Sequence, residues 1–191
     1  FFDNKGETGD VLGGTIGDYN TGLTDTYMKQ GGNSLFTMWH LASWAGLVEE
    51  SVAPYEGIAT ALTSNTANVY GSSAYHLQNA YIINKTNTDV VKQAIMDYGS
   101  VAMAYHAVQG ASNYDKPIAG DYGAYYYNVA NAATNHAVQI VGWDDNYSAG
   151  NFTLTPEGNG AWLVKNSWGE ERENETCAQD GYFWISYYDT G

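Results

Sequence analysis

Gly160-Ala161-Trp162-Leu163-Val164-Lys165-Asn166-Ser167-Trp168-Gly169 runs from an apolar strand into an abrupt polar corner. Ala161 to Val164 is apolar and rich in strand formers, whereas Asn166 stands where the strand should end. Trp168 sits beside it, placed to keep water off whatever the amide touches. An Asn in such a position orients a second group. Thirty residues upstream, Asn135-His136-Ala137-Val138-Gln139-Ile140-Val141-Gly142-Trp143 reads as another apolar strand that carries a histidine at its start. That separation suits two neighbouring antiparallel strands joined by a loop. The Asn166 amide oxygen would then accept the proton-bearing ring nitrogen of His136, fixing the tautomer and leaving the other nitrogen to face a reactive group.

Composition narrows the function classes. With 191 residues, 44% hydrophobic and 15% aromatic, the chain can bury a full core. Seven Lys and Arg against 21 Asp and Glu give a net charge of −14, and no basic stripe exists to neutralise phosphates, so nucleic acid is a poor partner. No apolar run approaches the ~20 residues of a membrane span. The opening Phe1-Phe2-Asp3-Asn4 lacks Met and begins with two aromatics, which reads as an internal cut in a longer polypeptide. A single cysteine, Cys177, permits no internal disulfide.

Along the chain, residues 1–30 are Gly-, Asp- and Thr-rich and lack periodicity. Leu35, Phe36, Met38, Trp39, Leu41, Ala42, Trp44, Ala45 and Leu47 then place apolar groups nearly all round a helix. That helix is expected to be buried, capped by Asn33 and ended by a left-handed Gly46. His76 to Asn84 is expected to be a strand crossing between two halves. Asp89 to Tyr98 reads as an amphipathic helix stopped by Gly99, and Val101 to Ala107 as a strand in which His106 is merely polar. Residues 109–134, with Tyr125-Tyr126-Tyr127, read as an enlarged surface loop that includes one strand. Asp144-Asp145-Asn146 lacks the spacing of a calcium loop and reads as a solvated turn. Tyr182 to Tyr187 forms the last strand.

Taken in order, Asn135 to Trp143, then Trp162 to Gly169, then Gly181 to Asp189 resemble the right-hand half of a papain-like cysteine peptidase. The stretch from Gly31 to Gly57 resembles the same family's glycine pair, helix and Pro-Tyr corner. The resemblance implies an α+β fold, with an incomplete helical left half over 1–88 and an antiparallel, barrel-like right half over 89–191. It places His136 as general acid/base, Asn166 as its orienting partner and Trp168 as a shield. It also puts Gly31 and Gly32 along the substrate cleft, where an extended peptide can pair with main chain only if no Cβ blocks it. By the same correspondence Ser34, Ala104 and Ala137 line the pocket for the residue two before the cut bond, and their small size implies room for a large apolar side chain.

The family's nucleophilic Cys, and the oxyanion Gln a few residues before it, precede the glycine pair, and no Cys with such a Gln before it stands ahead of Gly31 here. Cys177 lies in a charged loop among acidic neighbours, which would raise a thiol's pKa, and is not expected to attack. The expectation is therefore a C-terminal fragment or large chain, completed by a Cys-bearing N-terminal segment and acting on peptide or protein substrates without metal or cofactor. Ser167 adjoins the orienting Asn and has no base of its own, so a serine hydrolase is the weaker reading. The alternative from another class is a non-catalytic peptide-binding or cell-surface adhesion module on the same fold. The absence of disulfides resembles the family's bacterial branch, with secretion or surface display implied.

Overall fold

The computed structural model describes residues 33–44, 46–52, 73–108, 115–116, 118, 121–167 and 181–191. They fall in two compact units, Phe1–Tyr81 and Ile82–Gly191. Gly31, Gly32, Trp168 and Cys177 lie outside the described residues.

In the first unit, helix α1 spans Ser34–Ala42, and the Asn33 side chain accepts the Phe36 amide at 2.9 Å, as an N-cap should. The helix is shorter than expected because its end is closed earlier. Ser43 donates its backbone N–H to Trp39 and His40 carbonyls and its hydroxyl to His40, and Trp44 rather than Gly46 takes the left-handed conformation at φ 70°. Gly46 serves a different need, since a Cβ there would lie 2.2 Å from Ser73 Cβ. The expectation of a buried α1 is also corrected: none of its residues is buried, and Trp39 keeps 55% exposure. The expected strand over 76–84 is absent. A single bridge joins Leu47 to Tyr75, and beyond it the backbone finds no ladder.

The second unit is a helix on a six-stranded sheet. Helix α2, Thr88–Tyr98, is capped by Asn87 and stopped by Gly99 at φ 87°, where the lack of a Cβ makes that conformation inexpensive. It buries Val91 and Ile95. The strands are β1 Val101–Tyr105, β2 Asp115–Lys116, β3 Gly123–Tyr125, β4 His136–Asp144, β5 Ala161–Lys165 and β6 Tyr182–Ser186, in spatial order β1-β4-β5-β6-β3-β2. Strands β4 and β5 are adjacent and antiparallel, as their sequences require.

Alternation divides the sheet into two apolar faces. One face carries Tyr105, Tyr125, Val138, Ile140, Trp162, Val164, Phe183 and Ile185 and packs with Val91 and Ile95 of α2. The other gathers Ala124, Tyr126, Tyr147, Phe152 and Ala161 under Trp184. A bulge between Ile140 and Gly142 shifts the pairing, so that Trp143 follows Ile140 onto the α2 side opposite Trp162.

Two expectations for this unit give way. The sheet is mixed, because β3 pairs in parallel with β6 while all other ladders are antiparallel. The stretch after residue 109 is more than a surface loop: it contributes β2 and β3, and Tyr125, Tyr126 and Tyr127 are all buried. Their rings supply the apolar area that the Gly- and Asn-rich flanks lack. His106 falls just past β1, stacked on Tyr127 at 4.7 Å with its Nδ1 2.7 Å from the Ala133 carbonyl. Asp144-Asp145-Asn146 forms a turn closed by the Asp144 carboxylate on the Asn146 amide, with Asp145 paired to Lys92 of α2 at 2.5 Å.

Candidate active site

His136 opens β4 and Asn166 follows the last residue of β5, so the antiparallel ladder delivers both side chains to one end of the sheet. Both share parity with the buried residues: His136 with Val138 and Ile140, and Asn166 with Val164. They therefore turn toward the α2 side of the sheet.

Their contact is direct. His136 Nε2 lies 2.8 Å from Asn166 Oδ1. The same oxygen accepts the backbone N–H of Ser167 at 2.8 Å, which identifies it as the carbonyl and not the amino end of the side chain. An acceptor at that point requires the proton on Nε2, so a neutral His136 ring carries its lone pair on Nδ1. Asn166 is 7% exposed, and its backbone N–H is tied to the Gly181 carbonyl at 2.8 Å, anchoring it to the residue just before β6. Its Nδ2 is buried with no hydrogen-bond partner among the described residues.

Two neighbours complete the setting of His136, and neither was expected from the sequence. Asn135, immediately before it, grips Ala107 from both sides: Oδ1 accepts the Ala107 N–H at 2.7 Å and Nδ2 donates to the Ala107 carbonyl at 3.0 Å. Asn135 also donates its own backbone N–H to the Tyr105 carbonyl at 3.1 Å, carrying the β1–β4 pairing past the formal strand end. Tyr105 is the register partner of His136 across that ladder, and its ring stands 5.8 Å from the imidazole at 68°. The signal for Tyr105 lay in the alternation of Val101, Met103 and Tyr105, which sets it on the face that His136 shares.

Ala104 and Ala137 are register partners on the opposite, exposed side of the same two strands. Ser34 is exposed at the start of α1 in the first unit. No group of three or more metal-ligating side chains occurs among the described residues.

The model of the papain family cysteine protease matches residues 25–190. The chain belongs to the papain family. Among solved structures, it resembles the clostridial cysteine protease Cwp84 after propeptide cleavage, with 36% identity, a TM-score of 0.68 and coverage of 84% of this chain and 37% of that one. A structure of the protease and lectin-like domains of Cwp84, described as a surface layer associated protein of Clostridium difficile, gives 37% identity and a TM-score of 0.66 over 82% of this chain and 33% of that one. Among curated papain-family relatives, rat cathepsin Q is 28% identical over 139 residues, covering 73% of this chain and 36% of the cathepsin. The chain thus spans about a third of the length of these relatives. The family's members named here are peptidases, and the papain-like α+β fold is shared with them.

Proposed function

We propose that this chain is the part of a papain-family cysteine endopeptidase that carries the general acid/base and its orienting Asn. The observation that supports this reading is the 2.8 Å contact from His136 Nε2 to Asn166 Oδ1, which favours Nδ1 as the nitrogen that exchanges protons with reactants. The nucleophile is a cysteine outside these 191 residues, on a preceding segment or partner chain of the same precursor. Cys177 is the sole cysteine here, and its acidic sequence neighbours disfavour a thiolate.

In the assembled site, His136 takes the thiol proton on Nδ1, giving an imidazolium beside a thiolate. The sulfur forms a bond to the scissile carbonyl carbon, and the carbonyl π electrons move to oxygen. When the tetrahedral species collapses, the C–N bond breaks and His136 gives its proton to the leaving amine. A water then attacks the thioester, losing a proton to Nδ1, and the thiol is regenerated with release of the acid. Asn166 holds the ring through both transfers without itself changing protonation.

Gly31 and Gly32 are proposed to pair with the extended substrate main chain. From the second unit, Ala104 and Ala137 offer an exposed, small-residue wall to a large apolar substrate side chain. The similarity to a surface layer associated protease supports display at a bacterial cell surface. Among the described residues, no helix is long and apolar enough to cross a membrane.

The test is reconstitution. Mixing this chain with a Cys-bearing N-terminal segment should yield hydrolysis of peptide substrates that His136→Ala abolishes and Cys177→Ser leaves nearly unchanged. An assembly that binds peptides without cleaving them would favour the adhesion or docking module. Hydrolysis by the 191-residue chain alone, lost on Cys177→Ser, would overturn the assignment of the nucleophile.

A further inference from the structure

The His136–Asn166 hydrogen bond fixes a point, and a planar ring needs more than a point. The Cβ–Cγ bond of a histidine is directed across the ring toward the Cε1–Nε2 edge, so a partner on Nε2 lies nearer the axis about which the ring turns than a partner on Nδ1 would. Such a bond restrains how far the ring reaches but only weakly resists rotation about that axis. Rotation is what moves Nδ1, the nitrogen that must meet the reactant. A second contact, away from the axis, has to set the plane.

Tyr105 is placed to make it. Its residue pairs with His136 across the β1–β4 ladder, so backbone register and not side-chain chance brings the rings together. The rings are nearly perpendicular at 68°, with centroids 5.8 Å apart, within the range of attractive edge-to-face pairs. Tyr105 cannot readily yield. It is 3% exposed, meets Tyr125 edge-on at 5.3 Å and 79°, and rests on Phe183 at 5.8 Å. The backbone on either side is held as well: Tyr105 O receives the Asn135 amide, His106 O receives the Tyr125 hydroxyl, and Ala107 is gripped by the Asn135 side chain.

We propose that Tyr105 is a positioning residue that sets the plane of the His136 imidazole, dividing the task with Asn166: the amide fixes the distance of the ring and the phenol ring its rotation. This deepens the proposed peptidase reading and rests on it for its catalytic consequence, but the ring-to-ring restraint is a property of this chain by itself.

The experiment uses Tyr105→Leu, Tyr105→Met and Tyr105→Phe in the full assembled protein, with two readouts. Solvent exchange of the His136 Nε2 proton is followed by nitrogen-edited NMR, and peptide hydrolysis is resolved into kcat and KM. Leu and Met should speed the proton exchange and lower kcat about ten-fold with KM unchanged, and Phe should restore most of both. If Leu does not fold, Met carries the comparison. Unchanged exchange and kcat in Leu or Met would overturn the proposal, as would a Phe variant as impaired as Leu. So would kcat and KM worsening together in step with a fall in melting temperature, since that reports packing alone. A wild-type assembly that shows the expected exchange pattern yet hydrolyses nothing would sustain the Tyr105 restraint while refuting the peptidase reading.

Discussion

Gly160 lies flat against the ring of Tyr187: a Cβ on Gly160 would fall 2.5 Å from Tyr187 Cδ2, and the glycine holds φ 113°, which side-chain-bearing residues rarely adopt. The Gly160 carbonyl also accepts the Tyr187 amide at 3.2 Å, so this approach joins the start of β5 to the end of β6. Gly160→Ala should therefore destabilise the second unit by about 1–3 kcal/mol or more, because strain and overlap act together. Chemical denaturation would show a lower midpoint at unchanged slope. A wild-type midpoint would mean that the ring swings away at no cost.

Removing the amide from Asn166 should act on positioning. On the proposed peptidase reading, Asn166→Ala leaves the His136 ring in place but frees it at Nε2, so kcat of the assembled enzyme should fall by up to about 100-fold with a smaller change in KM. Full activity across the pH range would show that the contact has no catalytic role.

Asp189 should make stability depend on pH. Burial pushes its carboxyl up from 3.8 to about 6, opposed by hydrogen bonds from the Tyr127 and Gly191 amides and by the nearby Lys85 and His106. An acid whose pKa is raised on folding binds its proton more tightly in the native state, so folding takes up protons between about pH 4 and 6. The contribution is fully present below the lower value and declines as pH rises through the upper one, by no more than about 3 kcal/mol. Asp189→Asn should flatten that decline. Parallel stability–pH curves for the two proteins over this range would contradict it.

Phe183 tests the core. It is fully buried at 0% exposure, opposite Val164 and against Tyr105, so Phe183→Ala should cost about 3–5 kcal/mol. Thermal unfolding measures the loss directly. A cost near 1 kcal/mol would imply that the surrounding rings collapse into the space.

The parts of this molecule that depend on local pattern could be read before any coordinates. The pairing of β4 with β5 follows from two apolar runs with polar termini, and the same runs carry His136 and Asn166 to one end of the sheet. The α2 helix was equally plain, since the Val91 and Ile95 face and Gly99 are cues within one segment. What escaped notice depends on partners remote in sequence. Tyr125, Tyr126 and Tyr127 sit among Gly and Asn and look like surface until β6 provides the strand that β3 joins. Tyr105 has no special sequence neighbour, and its relation to His136 exists only through the β1–β4 register. The end of α1 was misplaced because glycine is the usual left-handed residue, whereas here Trp44 assumes that conformation and stacks on His76 at 4.6 Å.

The sheet order has a consequence for how the molecule is born. Tyr182–Ser186 is the last of the sheet's six strands in chain order, yet it lies inside the sheet, between β5 and β3. Until it leaves the ribosome, the nascent chain holds two separate ribbons, β1-β4-β5 and β3-β2, each with an open edge that awaits the same missing strand. Asn166 waits too, because its backbone anchor is Gly181, at the threshold of that strand. The site is thus assembled only once that strand has emerged, and a chain released short of residue 186 would carry the histidine without a settled partner for it.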